Sequence, residues 1–517
     1  MSEKFFLTTP LYYVNAEPHI GSAYTTIAAD AICRFERMKG NDVVMLTGVD
    51  EHGGKIEATA QARGISPQVH CDEISSKFTE LWDKLNIDYQ KFSRTSSDHH
   101  AKVVEAFFEA VKQKDDIYQA EYKGLYCLAC EDFKNERELV DVNKCPIHLT
   151  EVQEYSENNY FFRLSNYSDA LKAFYTKNTD LILPKFRQNE VLSWIDEGLK
   201  DFPISRRNVK WGIPVPGDPS QTIYVWFDAL LGYLSPLISE EIVRSGELKF
   251  PEVFNELPHW PASLHLIGKD ILRFHAVYWI AMLMSVGSPV PKQLFGHGFL
   301  TKDGEKMGKT RGNIIVPQEL IDQFGVDSVR FYFLFAVPFG QDGDYSEQVF
   351  KETVNAYLAN RLGNLFSRVL KLFENYFDGK IPDFKIEENS DIARETLALP
   401  ELVSGKMKIY EIHEAISPIF ALVDKLNLLL NDVKPWNLLK NEDAESREIA
   451  GKCLIECLES LRVVSQLLYP FVPGLSAKMM EVFGLKEPQN WEEINKWNVL
   501  PCGYSLPKMQ PLFSRLI

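Results

Sequence analysis

An apolar run beginning at Phe5 is cut by a turn rich in Asn and Pro, and apolar residues then recur at helical spacing through Ile27, Ala31, Phe35 and Met38. Strand, turn and helix in that order commit the amino terminus to an α/β unit. The interruption runs from Pro10 to Ser22 and carries Asn15, His19, Gly21 and Ser22, with Gly21 opening the helix. Where a strand feeds a helix, the first-turn amides and the helix dipole favour phosphate. Gly21 lets a flat base approach the backbone, and His19 can donate to phosphate oxygens. Taken alone, His19-Ile20-Gly21-Ser22 also reads as a turn histidine beside a capping glycine.

Asp42 to Thr47 reads as a buried strand that ends in Gly48-Val49-Asp50-Glu51-His52-Gly53-Gly54. Ligands of open α/β sheets sit at the carboxyl ends of strands, so this polar turn should face the same crevice as His19. Asp50 is its candidate functional residue, or else the N-cap of the segment holding Lys55 and Ile56. Helical stretches follow at Ser75 to Leu85 and Val103 to Lys114, with His99 and His100 expected in solvent. Leu264 to Ile267 reads as another buried strand, with Gly268, Lys269 and Asp270 at its end and Ile271, Phe274 and His275 in the next helix. The segment Tyr224 to Tyr233 places Trp226, Ala229, Leu230 and Tyr233 on one helical face, a stripe that core packing alone also explains.

Cys127 and Cys130 are followed, after fourteen intervening residues, by Cys145 and His148. Two short-spaced pairs of soft ligands across a hairpin fit one closed, tetrahedral, structural Zn²⁺, which would staple a knuckle over 127–148 and activate no water. The other cysteines are scattered, so no disulfide framework is expected and a reducing compartment, cytoplasm or organellar stroma, fits. Met1-Ser2-Glu3-Lys4 lacks the pattern of a signal peptide. Ala276 to Val286 is too short to span a bilayer and reads as a buried helix, so no membrane partner is expected. Net charge of −16 over 517 residues argues against general nucleic-acid binding; such a partner would need a local basic strip. Beyond Asp344, Val354, Leu358, Leu362, Leu365, Val369 and Leu372 recur at helical spacing, as do residues of 412–430 and 454–468, giving a helix bundle.

Far downstream lies Gly298-Phe299-Leu300-Thr301-Lys302-Asp303-Gly304-Glu305-Lys306-Met307-Gly308-Lys309-Thr310. With this stretch in view, the first turn resembles the HIGH signature of class I aminoacyl-tRNA synthetases, and Lys306 to Thr310 resembles their KMSKS loop. Ser22 stands where the family has its final histidine, and Gly308 and Thr310 stand in for two serines. The likeness extends over nearly the whole chain to the methionyl branch, of bacterial or organellar type.

That resemblance implies a Rossmann-type parallel-sheet catalytic domain in two halves, 1–114 and 226–295, split by a connective insertion over 115–225 that holds the knuckle. A loop and junction over 296–345, an anticodon-binding α-helix bundle over 346–480 and a tail over 481–517 that packs back on the body complete it. It implies a cytoplasmic ligase that joins L-methionine to tRNA(Met) with ATP and Mg²⁺. Leu11, Tyr13, Asp50, Trp226, Ala229, Leu230, Tyr233, Ile271 and His275 correspond to the methionine pocket. Asn15, His19, Gly21, Ser22, Gly268, Asp270, Lys306, Lys309 and Thr310 correspond to the ATP set, with His19, Lys306 and Lys309 as catalytic groups and Arg206 in support. Asn364, Arg368 and Trp436 match the anticodon readers. No editing-type insertion and no appended tRNA-binding barrel is expected, the latter pointing to a monomer. A cysteinyl relative would need its metal in the amino-acid pocket, and a non-catalytic sensor would have no use for Lys306 and Lys309.

Overall fold

The structure, a computed structural model, describes residues 2–127, 132–134, 139–146, 149–307, 313–441, 443–508 and 510–517. Its central sheet has six strands in the order Lys91–Arg94, Asp42–Asp50, Lys4–Tyr13, Leu264–Gly268, Leu294–His297 and Ile182–Leu183. Every neighbouring pair is parallel. Parallel sheets are covered on both faces, which is why Phe6, Leu7, Met45, Leu46, Leu264 and Leu266 are all fully buried. The chain moves outward from the first strand in one direction and later returns on its other flank. The crevice at the carboxyl ends of Lys4–Tyr13 and Leu264–Gly268 is therefore the topological switch point, where a ligand is expected.

The first strand continues further than its proline suggests. Pro10 has no amide to give the ladder, and the register shifts between Thr8 and Leu11. Pairing then resumes with Leu11 opposite Gly48 and Tyr13 opposite Asp50. Leu11 and Tyr13, two apart, share one side of the strand at the crevice.

Residues 115–225 are built on a long antiparallel pair, Ile117–Cys127 with Gln153–Phe162, in register from Ile117 opposite Phe162 to Tyr126 opposite Gln153. Ile182–Leu183 stands apart from this sheet and pairs with Leu294–His297. Residues 182–183, within the stretch expected as a connective insertion, form an edge strand of the central sheet.

Helices Asn364–Tyr376, Asp391–Met407, Ile412–Val433 and Ala444–Leu467 bury Leu365, Val369, Val403, Ile416, Leu426, Leu454 and Leu461 against one another. This region joins the sheet through a buried charge cluster. Asp30, on the first helix, accepts from Arg34 (2.8 Å) and Arg330 (2.5 Å) and from the Asp88 amide (2.8 Å). Arg330 also donates to the Pro470 and Phe471 carbonyls. Removing one member would strand a buried charge at a cost of about 3–5 kcal/mol. At the carboxyl end, Leu516 and Asn355 exchange two hydrogen bonds, and Lys380 bridges Ser505. No described helix is long and apolar enough to cross a membrane.

Candidate active site

The first helix spans Ile20–Met38, one residue earlier than Gly21 suggests, and His19 caps it. The Gly21 amide donates to His19 Nδ1 (3.0 Å), and the His19 amide donates to Ser22 Oγ (3.1 Å). This reciprocal capping box satisfies two otherwise orphaned donors. A neutral His19 whose Nδ1 accepts carries its proton on Nε2, leaving that N–H as a donor. Gly21 is needed here, because a Cβ would lie 2.9 Å from the His19 ring. Ser22 therefore has a structural task where a histidine was expected by family resemblance.

Across the crevice, Leu300–Lys302 and Glu305–Lys306 form a hairpin. Its two-residue turn, Asp303 and Gly304, has both φ angles positive (51° and 78°), as a tight hairpin requires. Asp344 pins it, accepting from the Gly304 amide (2.9 Å) and the Thr301 hydroxyl (2.5 Å). Gly308, Lys309 and Thr310 lie outside the described residues. The chain that leaves them is anchored: the Ile20 amide donates to the Ile315 carbonyl (3.3 Å). His297 ties the helix to the strand before the loop, accepting at Nε2 from Thr25 (2.7 Å) and donating from Nδ1 to the Gly298 carbonyl (2.8 Å). At the end of Leu264–Gly268, a Cβ on Gly268 would meet the Asp270 carboxylate at 2.5 Å, so only glycine lets that carboxylate fold back.

The residues expected to line the amino-acid pocket form a chain of contacts. A Cβ on Gly232 would strike Leu11 Cδ1 at 2.2 Å, so Leu11 packs directly onto that glycine. The Tyr233 hydroxyl donates to His275 Nε2 (2.8 Å), and His275 Nδ1 donates to the Ile271 carbonyl (2.9 Å). Burial pushes His275 down to about 4 despite the opposing Ile271 contact, so its ring is neutral at pH 7. Burial also pushes the Tyr233 phenol up, with the nearby Tyr12 and Asp50 charges adding to it. Trp226 stacks on Phe274 at 3.8 Å, with 4° between the rings. Ala229 and Leu230 are buried in helix Val225–Leu231. That helix stops two residues short of Tyr233, because short-range bonds tighten the turn at Gly232 and Tyr233. Tyr233 thus arrives from a turn, not from the predicted helical face. Asp50 is no helix cap; Gly53 precedes helix Gly54–Ala62.

Asp228 on the same helix escaped the sequence reading. It is fully buried and accepts from His52 Nδ1 (2.6 Å) and His100 Nε2 (2.6 Å). Burial alone would raise its pKa, but the two imidazoles overcome that and hold it at about 2. His100, expected in solvent, is 1% exposed and its Nδ1 lies 2.8 Å from Ser235 Oγ; His99 Nε2 donates to the Ser235 carbonyl. The reason is phase: His100, Val103, Val104, Phe107, Phe108 and Val111 form one apolar stripe of Asp98–Gln113. Arg206 is buried with its guanidinium 4.0 Å from the Tyr224 ring centre and 6.0 Å from that of Tyr126.

The family model described as tRNA synthetases class I (M) matches residues 5–158 and 143–370. The methionine–tRNA ligase of Thermosynechococcus vestitus is 47% identical over all of this chain and 98% of its own length. The chain belongs to the class I methionyl-tRNA synthetases. A chloroplastic/mitochondrial methionine–tRNA ligase of Arabidopsis thaliana is 47% identical over 99% of this chain and 83% of that protein. A Mycobacterium tuberculosis methionyl-tRNA synthetase solved with methionyl-adenylate matches with a TM-score of 0.93 and 38% identity, each chain covered in full. The synthetase is a methionine–tRNA ligase.

Two further groups of expected residues lie away from the synthetase's crevice. Asn364 opens helix Asn364–Tyr376 directly after a wide π-helical stretch, Asn355–Gly363. Arg368, one turn on, stands with its guanidinium 5.0 Å from the Trp436 ring centre and donates to Asn431 Oδ1 (3.4 Å). The three expected readers therefore share one surface, with Trp436 half-buried at the start of Pro435–Leu438. Cys127 and Cys145 are both fully buried and share a small cluster with Val152. Cys130 and His148 lie outside the described residues, and among those described no group of three metal-ligating side chains occurs.

Proposed function

We propose that the crevice between His19 and the 298–315 stretch forms methionyl-adenylate and then passes methionine to the 3′-terminal adenosine of tRNA(Met). The methionine carboxylate attacks the α-phosphorus of ATP and pyrophosphate leaves in line. The nucleophile is already an anion, so no side-chain base is needed and catalysis rests on position and positive charge. His19 donates from Nε2 to a phosphate oxygen, while Lys306 and Lys309 close on the departing pyrophosphate. Asn15, Gly21, Ser22, Gly268, Asp270 and Thr310 frame the nucleotide, whose phosphate charge Mg²⁺ bound with ATP would partly neutralise. A hydroxyl of the terminal adenosine then attacks the acyl carbon and AMP leaves.

The observation that carries this reading is the neutral Tyr233–His275 pair beside Asp50. Asp50 holds the α-ammonium at the mouth, and an uncharged slot lined by Leu11, Tyr13, Trp226, Ala229, Leu230 and Ile271 takes the thioether. Sulfur meets aromatic edges there, which a branched aliphatic side chain cannot copy. Arg206 supports the wall from below. Asn364, Arg368 and Trp436 take the anticodon of tRNA(Met) in the helix bundle, reading unstacked bases by stacking and hydrogen bonding. The buried Cys127 and Cys145 thiols fit a thiolate-rich site, and with Cys130 and His148 they would hold one Zn²⁺ that stabilises the knuckle. ATP–pyrophosphate exchange across all twenty amino acids tests the assignment. Methionine alone should support exchange, and Asp50→Ala should raise its KM steeply; exchange with cysteine in place of methionine would overturn it.

A further inference from the structure

We propose that Asp228 is a positioning residue that sets the distance between the ammonium-binding carboxylate of Asp50 and the thioether slot, through its grip on His52 and His100. The inference rests on the slot assignment above.

Helix Val225–Leu231 has two working sides. Trp226, Ala229 and Leu230 point one way, and Asp228, about 200° around the axis from Trp226 at 100° per residue, points the other. Phe227 packs edge-on against Phe107 and Phe108 of helix Asp98–Gln113. Asp228 is the polar counterpart of that contact, accepting from the His100 Nε2–H on the same helix. Its second oxygen accepts from the His52 Nδ1–H, and His52 lies two residues after Asp50. One buried carboxylate thus joins the helix that walls the slot to the turn that carries the ammonium ligand.

That turn is fixed on its remaining sides. Arg94 donates to Glu51 through Nε and Nη2 (2.9 and 2.7 Å), and Ser96 Oγ adds a third bond (2.6 Å). Trp211 donates to the Glu51 carbonyl, and its ring meets His52 edge-on at 5.6 Å. The Gly53 amide donates to the Trp211 carbonyl (3.0 Å). Asp50 itself is held through its carbonyl, which accepts from the Val14 amide (3.2 Å), and with the outer side held, the His52–Asp228 bond fixes the turn on its inward side. A carboxylate is the group that suits the site, because it accepts from two N–H donors at once and offers none. An Asn in its place would face one imidazole N–H with an amide N–H. His100 can relieve that clash by moving its proton to Nδ1 and donating to the Ser235 hydroxyl, which can rotate to accept.

The test uses the full chain with Asp228→Ala, Asp228→Asn and Asp50→Ala, reading KM for methionine, KM for ATP and kcat in ATP–pyrophosphate exchange, with thermal melting as a check on folding. Displacing a binding group by about 1 Å can cost roughly a hundredfold, so Asp228→Ala should raise KM for methionine by about ten- to a hundredfold while KM for ATP moves less than about twofold. Asp228→Asn should recover most of the loss, and adding Ser235→Ala should remove that recovery. If Asp228→Ala does not fold, the Asp228→Asn and Asp228→Asn/Ser235→Ala pair carries the same comparison. An unchanged methionine KM, or parallel rises in both KM values, would sink the clamp. If Asp50→Ala leaves methionine KM unchanged, the slot assignment itself is at fault; if Asp50→Ala acts and the Asp228 variants do not, only the clamp is.

Discussion

The amide of Ile20 donates to the carbonyl of Ile315 at 3.3 Å, which stitches the exit of the lysine-bearing loop to the first turn of the helix that His19 caps. The entrance is held as firmly, by Asp344 on the Thr301–Gly304 turn. The chain on either side of residues 308–312 is therefore anchored among the described residues.

Lys309 lies six residues before Ile315, so its backbone can be no more than about 25 Å from the Ile20 amide even if fully extended. Lys309→Ala should slow adenylate formation by about 10²–10³, the size of one lost charge-stabilising contact, with methionine affinity nearly unchanged. Single-turnover adenylation alongside equilibrium methionine binding separates the two. Equal losses in both would remove Lys309 from the transition state.

Ser22 closes the capping box, and its loss frees the His19 amide. Ser22→Ala should cost about 1 kcal/mol in denaturant unfolding. Because the cap orients the imidazole, KM for ATP should rise while KM for methionine stays put. A rise confined to methionine would mean the box serves the slot instead.

Much of this was legible in the sequence where a period or a chain break carries the signal. The strand, turn and helix around His19 follow from spacing, and Asp50 follows from its place at a strand end. Two-residue Ile182–Leu183 carries no period at all, so its membership of the central sheet is invisible before the chain folds. Asp228 is different, since an acid inside the apolar run Val225-Trp226-Phe227-Asp228-Ala229-Leu230-Leu231 already announces a buried partner. Its partners lie 176 and 128 residues away, beyond any local pattern. His100 was readable: it is in phase with Val103, Val104 and Phe107, and a solvent assignment ignored that stripe.

Arg368 over Trp436 joins helix Asn364–Tyr376 to the corner after Lys434, whose φ of 51° turns the chain. Trp436→Ala should lower kcat/KM for tRNA charging by roughly ten- to a hundredfold, in line with one lost base–aromatic stack, and spare pyrophosphate exchange. Arg368→Lys should also lose charging, because an ammonium cannot reproduce a planar, stacked guanidinium. A fall in exchange with either variant would make the pair a folding element of the bundle.

Three buried histidines give the protein an acid-sensitive window whose sign can be worked out. His275 and His297 are each pushed down to about 4 by burial, and His265 lies well below its ordinary 6.5 through burial and the neighbouring His275. Between 6.5 and about 4 the unfolded chain binds protons at these positions and the folded chain does not. Their contribution is therefore complete above 6.5 and is lost as pH falls towards 4, at up to about 1.4 kcal/mol per pH unit for each ring. Asp228 acts in a separate window: its carboxylate stabilises the fold above 3.8, and that part is lost as pH falls through about 2. Denaturant unfolding between pH 7 and 4.5 should show stability falling with acid, and His275→Gln should flatten the slope by close to one proton. A slope unchanged by that substitution would mean His275 is already protonated in the fold.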